Sequence, residues 1–84
     1  MGAVDLLAAL RRKPFEPFRI ITSDGVNYDV RHPDLVMVTM TGAIVGFPDP
    51  NLSGALERYD IIGLEHIVRL EQILQPAPAK PNGK

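Results

Sequence analysis

Between Phe18 and Val30 the chain reads FRIITSDGVNYDV, a pattern that predicts a β-hairpin. Asp24-Gly25 separates two runs of β-prone residues, and Asp-Gly is favoured in two-residue hairpin turns because both positions accept a positive φ. After the turn, apolar and polar residues alternate as far as Arg31. We therefore expect one face of the second strand to be buried and the other to meet water, which fixes the register of the hairpin.

An N-terminal helix is predicted before this hairpin. Apolar residues recur at helical spacing from Val4 to Leu10, and Asp5 is placed to interact favourably with the N-terminal end of the helix dipole. Pro14 and Pro17 end the helix, because proline has no N–H and biases the preceding residue toward extended geometry. Residues 14 to 17 should therefore form a stiff connector into the first strand.

A second hairpin is predicted downstream. Pro33 should cause a break or bulge, since proline cannot donate to a sheet ladder. The run from Leu35 to Met40 predicts a third strand, and its apolar residues on both faces indicate a central or interface strand. Thr41-Gly42 then turns the chain into a fourth strand from Ala43 to Phe47.

The C-terminal part of the chain completes the predicted sheet. We expect a surface loop from Pro48 to Glu57, within which Leu52 and Leu56 could anchor a helical turn, and a tight turn between two short strands. The predicted elements are a strand at 59–62, a turn at 63–66, a strand at 67–70, and either strand or helical turn at 71–74. The fold class is thus mainly β: an N-terminal helix followed by a small five-stranded antiparallel barrel, with an open α+β sheet as the alternative. Residues 1–74 form the single domain, and the Pro-rich residues 75–84 a disordered tail.

Length and composition narrow the class of protein. A chain of 84 residues forms one small domain, whose stability should be marginal when alone. Hydrophobic residues make up 45 % of the chain, too many for a disordered protein, yet no apolar run is long enough for a membrane span. No export signal is visible, so the cytoplasm is the expected location and no membrane partner is predicted. With no cysteine in the sequence, disulfides and thiolate metal sites are excluded.

The charge balance argues against broad phosphate binding. Two of the nine lysines and arginines lie beyond residue 74, so residues 1–74 carry a net charge of 7 − 10 = −3. Nonspecific nucleic-acid binding depends on clustered cations, and we predict no DNA partner. A local basic patch at Arg11, Arg12 and Lys13 remains open, although the end of a helix in solvent also accounts for this run.

The sequence lacks a complete catalytic or metal motif. His32 and His66 have the only side chains with an ordinary pKa near neutrality, and each lies in a local context that explains it structurally. Ser23 and Ser53 lie in turn contexts that already favour serine. We therefore expect no enzymatic activity, no cofactor and no metal site.

Three stretches carry a family resemblance: SDG at 23–25, DLVM at 34–37 and IIGLEHI at 61–67. They are similar to the first hairpin turn, the Asp-x-x-Met motif and the hydrophobic-Arg-Gly stretch of the Sm-like family, which includes the LSm proteins and the bacterial RNA chaperone Hfq. The resemblance covers residues 4 to 71 and implies an Sm-like, or more loosely SH3-like, barrel. The pattern RRKPFEPFRIITSDG also resembles small bacterial proteins of unassigned function.

The chain departs from the family at the positions that contact RNA. Val38 replaces the Asn that follows Met in the LSm pocket, Ile62 replaces the Arg of motif two, and Glu65 replaces the Lys before His. The hydrophobic skeleton is kept, whereas the RNA-contacting chemistry is lost.

Two functions of different classes follow. The first is a non-catalytic interaction or scaffold module that self-assembles, as a ring by resemblance to Sm-like proteins or as a two-fold dimer by general symmetry. Its predicted interface consists of Met37, Val38, Met40, Ile44 and Val45. The alternative is an Sm-like RNA-binding protein. Its predicted RNA-binding residues are Arg11, Arg12, Lys13, Arg31 and His66.

Overall fold

The structure is a computed structural model that describes residues 1–74, so the predicted tail at 75–84 lies outside the described residues. It contains one helix, six strands and two single turns of 3-10 helix, at Pro33–Leu35 and Leu64–His66. In chain order the helix and strands are α1 (Ala3–Leu10), β1 (Phe18–Thr22), β2 (Asn27–Val30), β3 (Val36–Val38), β4 (Gly42–Pro48), β5 (Leu56–Gly63) and β6 (Ile67–Gln72).

The strands form two antiparallel sheets of three strands each, in the orders β2-β1-β6 and β3-β4-β5. The predicted mainly β class with an N-terminal helix is therefore confirmed. The described strands do not close into one barrel, and there are six of them where five were predicted. The predicted break at Pro33 is present, because Pro33 begins a 3-10 turn between β2 and β3.

The predicted hairpin around Asp24-Gly25 is formed by β1 and β2. Pairing ends at Ile21 opposite Asn27, so the turn is longer than the two residues expected. The N–H of Gly25 donates to the carbonyl of Thr22 at 3.2 Å, and Gly25 has a φ of +88°, a region that favours glycine. Glycine at this position therefore permits the turn.

The core lies between the two sheets and under the helix. It is built from inward-facing residues of both sheets, and α1 contributes Leu6, whose side chain is fully buried. Its members are Leu6, Phe18, Ile20, Val30, Val36, Ala43, Val45, Ile62, Leu64 and Ile67. The helix is thus part of the folded unit, because its apolar face covers the sheets.

Several predicted boundaries change. β3 is shorter than the run from Leu35 to Met40, because Pro33–Leu35 forms the 3-10 turn, and it is an edge strand. β4 is the central strand of its sheet, so both of its edges are already paired within the chain. Leu56 begins β5 instead of anchoring a helical turn. β6 continues through Gln72, so residues 71 and 72 belong to a strand and not to a helical turn.

The helix α1 is far too short to cross a bilayer, and no other helix in residues 1–74 is a candidate for a membrane span.

Candidate functional site

The β3-β4-β5 sheet has one buried face and one exposed apolar face. In β4, Ala43 and Val45 point into the core, so Ile44 between them points outward. Ile44 pairs with Met37 in β3 and with Ile61 in β5. These three side chains therefore form a continuous row across the outer side of the sheet.

A second row lies beside the first. Gly46 of β4 pairs with Tyr59 of β5. A Cβ atom on Gly46 would lie 2.7 Å from Cδ1 of Leu56, so the Leu56 side chain occupies the space above this glycine. Tyr59 and Leu56 thus extend the outward surface along the sheet.

We call this surface the apolar face. It consists of Met37, Ile44, Leu56, Tyr59 and Ile61. Met37 is 66 % exposed and Ile61 is 71 % exposed, while Tyr59 and Leu56 are 59 % and 50 % exposed. None of the five side chains carries a charge at neutral pH. A contiguous exposed patch of this kind is typical of an interaction site, whereas singly scattered apolar residues are ordinary.

The outer face of the β2-β1-β6 sheet has the opposite chemistry. Arg19 in the central strand β1 pairs with Asp29 on one side and Glu71 on the other. Its Nε lies 2.6 Å from Oδ1 of Asp29, and a second ion pair joins Arg69 to Glu71 at 2.5 Å. The charges are of both signs and suit a surface that faces water.

Two isoleucines make this contrast direct. Ile21 and Ile44 both point outward from the central strand of a three-stranded sheet, and both are half-buried. Ile21 is flanked by the polar Asn27 and Arg69, whereas both cross-strand neighbours of Ile44 are apolar. The two isoleucines therefore differ in their neighbours, and of the two only Ile44 lies within an apolar row.

The ion pair on the charged face also shifts two pKa values. The hydrogen bond from Arg19 holds the pKa of Asp29 below its ordinary value, and the charge of Arg31 at 3.6 Å adds to this effect. The same hydrogen bond with Asp29 raises the pKa of Arg19. Both side chains are thus held in their charged forms.

A polar cluster ties the two sheets together at one end of the core. The Tyr28 hydroxyl donates to Oδ2 of Asp60 at 2.8 Å, and Nη1 of Arg58 donates to Oδ1 of Asp60 at 3.1 Å. Arg58 also lies 3.8 Å from the ring centroid of Phe47. Burial, and secondarily the hydrogen bond to Asp60, raises the pKa of Tyr28 to about 12. The arrangement holds the phenol in its neutral, donating form.

The predicted interface residues separate into two groups. Met37 and Ile44 belong to the apolar face, and Met40 is 92 % exposed in the turn between β3 and β4. Val45 is only 3 % exposed and lies in the core, so it is not part of the apolar face. Val38 pairs with the buried Ala43 and is partly buried against the same core, so it lies on the inner side of the sheet. Both point inward because side chains alternate along a strand.

Two of the predicted RNA-binding residues, Arg31 and His66, lie toward opposite ends of β1. Arg31 follows Val30, which pairs with Phe18 at the start of β1. His66 lies at the other end of that strand, where its carbonyl accepts a 2.8 Å hydrogen bond from the N–H of Ser23. The five residues of β1 span about 13 Å between these two points.

The basic run after α1 is exposed, and part of its charge is already paired. Arg11, Arg12 and Lys13 are all exposed, and Nη2 of Arg12 lies 3.0 Å from Oε1 of Glu16. The Ser23 hydroxyl and Nδ1 of His66 are 3.3 Å apart in an exposed position. The ion pair with Glu16 therefore offsets one of the three positive charges of this run.

Sequence reasoning missed three members of the apolar face: Leu56, Tyr59 and Ile61. The alternation of Tyr59 and Ile61 with Arg58 and Asp60 was the available signal. In that pattern the charged residues lie on the side of the strand that contacts Phe47 and Tyr28, although Arg58 stays exposed, and the apolar residues point outward. This reverses the usual pattern of a half-exposed strand, in which the polar residues meet water.

Other parts of residues 1–74 show fewer features of a binding or catalytic site. An open cleft of about 410 Å³ lies between the end of α1 and the strands β1 and β6, lined by Ala9, Phe18 and Leu70 and bordered by the Arg12–Glu16 ion pair. No group of three or more His, Asp or Glu side chains in the described residues could hold a metal ion.

No family model, curated protein or solved structure matches the chain.

Proposed function

We propose that this protein is a non-catalytic interaction module that self-assembles, and that the apolar face is its contact surface. The observation that carries the proposal is the contrast between the two outer faces. One presents ion pairs to solvent, whereas the other presents four side chains that are each at least 50 % exposed and uncharged. Contact with water is favourable for the charged face and unfavourable for the apolar face.

Covering the apolar face with a partner would be energetically favourable. Complete burial of a large apolar side chain stabilises a structure by roughly 1.5–3 kcal/mol. Each half-exposed side chain of the apolar face would therefore gain about half of that free energy when a partner surface covers it. Within residues 1–74 only ten apolar residues are buried, so additional burial would also stabilise the fold.

A second copy is the partner that the chemistry of the face favours. A charged partner surface would lose hydration against these side chains without gaining an ion pair. The outer face of β3-β4-β5 supplies an uncharged surface of matching size in every copy. Isologous association of this kind is the commonest form of protein oligomer.

Support for a binding role over catalysis comes from how the polar side chains are used. Arg19 and Asp29 neutralise each other, and Asp60 accepts from both Tyr28 and Arg58. The contact between Ser23 and His66 is exposed, whereas a serine nucleophile needs a base that a third group orients.

The proposal extends to the fold. We treat β2 and β3 as two halves of one bent strand, interrupted at residues 31–35, where Pro33 cannot donate to a ladder. With these halves joined, five strands follow one another in the order β6-β1-β2/β3-β4-β5, the open form of an Sm-like or SH3-like plan. The antiparallel pairing of β1 with β6 supports this arrangement, because it brings the first and last strands together.

RNA binding is the less favoured function. Arg31 and His66 lie toward opposite ends of β1, and residues 1–74 have a net charge of −3. A titration with oligo-U and oligo-A at two salt concentrations tests it. Micromolar affinity that weakens with salt, and that is lost when Arg11, Arg12 and Lys13 become alanine, would replace the interaction module with an RNA-binding protein.

Self-assembly is tested by the molar mass of the full chain across a concentration series, from light scattering coupled to size exclusion. We expect the mass to rise above the 9.2 kDa of one chain as concentration increases. Ile61→Lys should remain monomeric while keeping the wild-type far-UV circular dichroism spectrum, because Ile61 lies on an edge strand and is 71 % exposed.

Val68→Lys is the matched control. Val68 is a β-branched residue, 57 % exposed, on an edge strand of the other sheet. It should associate like the wild type. A monomer at high micromolar concentration for the unmodified chain would refute self-assembly, and equal loss of association in both variants would refute the apolar face as its surface.

A further inference from the structure

We infer that two copies pack their apolar faces against each other across a two-fold axis, with β4 of each copy at the centre of the interface. This inference rests on the proposed self-assembly and goes beyond it, because it replaces the edge pairing of a ring with the stacking of two sheets. Stacked sheets lie about 10 Å apart, which is the space that side chains such as Ile44 and Met37 fill.

The edges of the sheet β2-β1-β6 are protected against strand pairing. The strand β2 has four residues and carries Asp29, while β6 carries Arg69 and Glu71 and has an irregular register opposite Thr22. Short length, charge and bulges are the devices by which proteins prevent edge-to-edge association. We therefore expect neither edge strand to pair with a second chain.

The edges of β3-β4-β5 are protected in similar ways. β3 has three residues and follows the 3-10 turn that begins at Pro33. β5 has a register shift opposite Pro48 and carries the charged residues Glu57, Arg58 and Asp60. These protections apply to edges alone, and the outer face of the same sheet has no equivalent protection.

The centre of the apolar face lies on β4. Its outward positions there are Ile44, which is half-buried between Met37 and Ile61, and Gly46, whose outer side is covered by the Leu56 side chain. A two-fold axis in the plane between the sheets brings β4 of each copy against that of the other. Met37 and Tyr59 on the flanking strands then close the two sides of the interface.

The size of the face sets the expected strength. At roughly 100 Å² for each half-exposed large side chain, the five residues supply about 500 Å², compared with the roughly 800 Å² that each partner gives to a standard interface. The remainder must come from the turns at the ends of β4, where Met40 is 92 % and Leu52 is 62 % exposed. We therefore expect a reversible dimer with a dissociation constant in the micromolar range.

The geometry is tested by NMR on a sample that mixes isotope-labelled and unlabelled full-length chains. We expect intermolecular contacts among the methyl groups of Met37, Ile44 and Ile61 and the ring of Tyr59, in a particle with the mass of a dimer. Intermolecular backbone contacts between β5 and β6, or a mass above that of a dimer, would overturn the stacking while leaving self-assembly in place. A monomeric protein would refute both the stacking of the sheets and self-assembly.

Chemical cross-linking gives a second readout, since the chain has no cysteine of its own. Ile44→Cys places one thiol at the centre of the apolar face, and Ile21→Cys places one at the equivalent position of the charged face. With a short bismaleimide, Ile44→Cys should form a covalent dimer at a yield at least tenfold above that of Ile21→Cys. Equal yields from two variants that retain the wild-type fold would overturn the proposal.

Discussion

The hydroxyl of Tyr28 in β2 donates a 2.8 Å hydrogen bond to the carboxylate of Asp60 in β5, and this contact joins the two sheets. The two residues are 32 positions apart in the chain. Because Arg58 donates to the other oxygen of the same carboxylate, Asp60 has a partner on each side. The end of the core therefore depends on a small polar network instead of apolar packing alone.

Replacing Tyr28 with phenylalanine should destabilise the protein by roughly 1–2 kcal/mol, because a hydrogen bond to a charged acceptor is lost in a partly buried position. Urea unfolding measures the change. Tyr59→Phe is the control, since Tyr59 is 59 % exposed on the apolar face, and its free energy of unfolding in the monomer should stay within about 0.5 kcal/mol of the wild type. Equal effects in the two variants would contradict a structural role for the Tyr28 hydroxyl.

The raised pKa of Tyr28 predicts a loss of stability in strong base. Its pKa is about 12 in the folded protein and 10.0 as the ordinary value, so the folded state holds the proton more tightly than the unfolded state. The stabilisation is complete below pH 10 and is lost as the pH rises toward 12. Urea midpoints between these pH values should fall more steeply for the wild type than for Tyr28→Phe.

The lowered pKa of Asp29 predicts the opposite dependence in acid. The hydrogen bond from Arg19 stabilises the carboxylate, so its contribution is present above the ordinary pKa of Asp and is lost as the pH falls through the lowered pKa. Arg19→Gln should raise the pKa of Asp29. This pKa is measured from the carboxyl chemical shifts during an acid titration. Arg31→Gln should raise it less, because Arg31 is 3.6 Å from Asp29 whereas Arg19 is at 2.6 Å. The reverse order would show that the Arg19 contact does not dominate in solution.

The helix should contribute to stability through one face. Leu6→Ala removes a fully buried side chain and should cost about 2–5 kcal/mol in the free energy of unfolding. Val4→Ala, on the same helix at 78 % exposure, should cost less than about 0.5 kcal/mol or stabilise slightly, since alanine is the better helix former. Chemical denaturation of both variants checks the difference. Similar values would mean that α1 does not pack on the sheets.

Two glycines of β4 should respond differently to alanine. At Gly42 an added Cβ atom would lie 2.8 Å from the backbone oxygen of Ile62, so the β4-β5 ladder itself must move. At Gly46 the nearest atom, at 2.7 Å, is the end of the Leu56 side chain, which can rotate away. Thermal unfolding should therefore show a larger loss for Gly42→Ala, by about 1 kcal/mol or more. A larger loss for Gly46→Ala would mean that Leu56 is held rigidly in place.

Local sequence signals predicted the elements well where the chemistry is local. Asp24-Gly25 located the first hairpin, and Pro14 and Pro17 separated the helix from β1. Pro33 marked the interruption before β3, although its 3-10 turn shortened that strand more than expected. These residues act through their own backbone restrictions, so their effect is visible without knowledge of the fold.

The candidate site was harder to predict because it depends on the neighbours of each strand. In Val36–Val38 and Gly42–Pro48 apolar residues occupy both faces, and the sequence does not show which face is buried. Val45 was therefore assigned to the surface and Ile61 was overlooked. The orientation became clear only from the register, in which Val45 pairs with Asp60 and Ile44 with Ile61.

The charged outer face of β2-β1-β6 bears on where the proposed association would end. If two copies cover each other's uncharged faces, the surfaces that remain outermost are the two that carry the Arg19–Asp29 and Arg69–Glu71 pairs. A third copy would meet ion pairs there in place of a second apolar face, so the proposed assembly would stop at two copies and form no open-ended fibre.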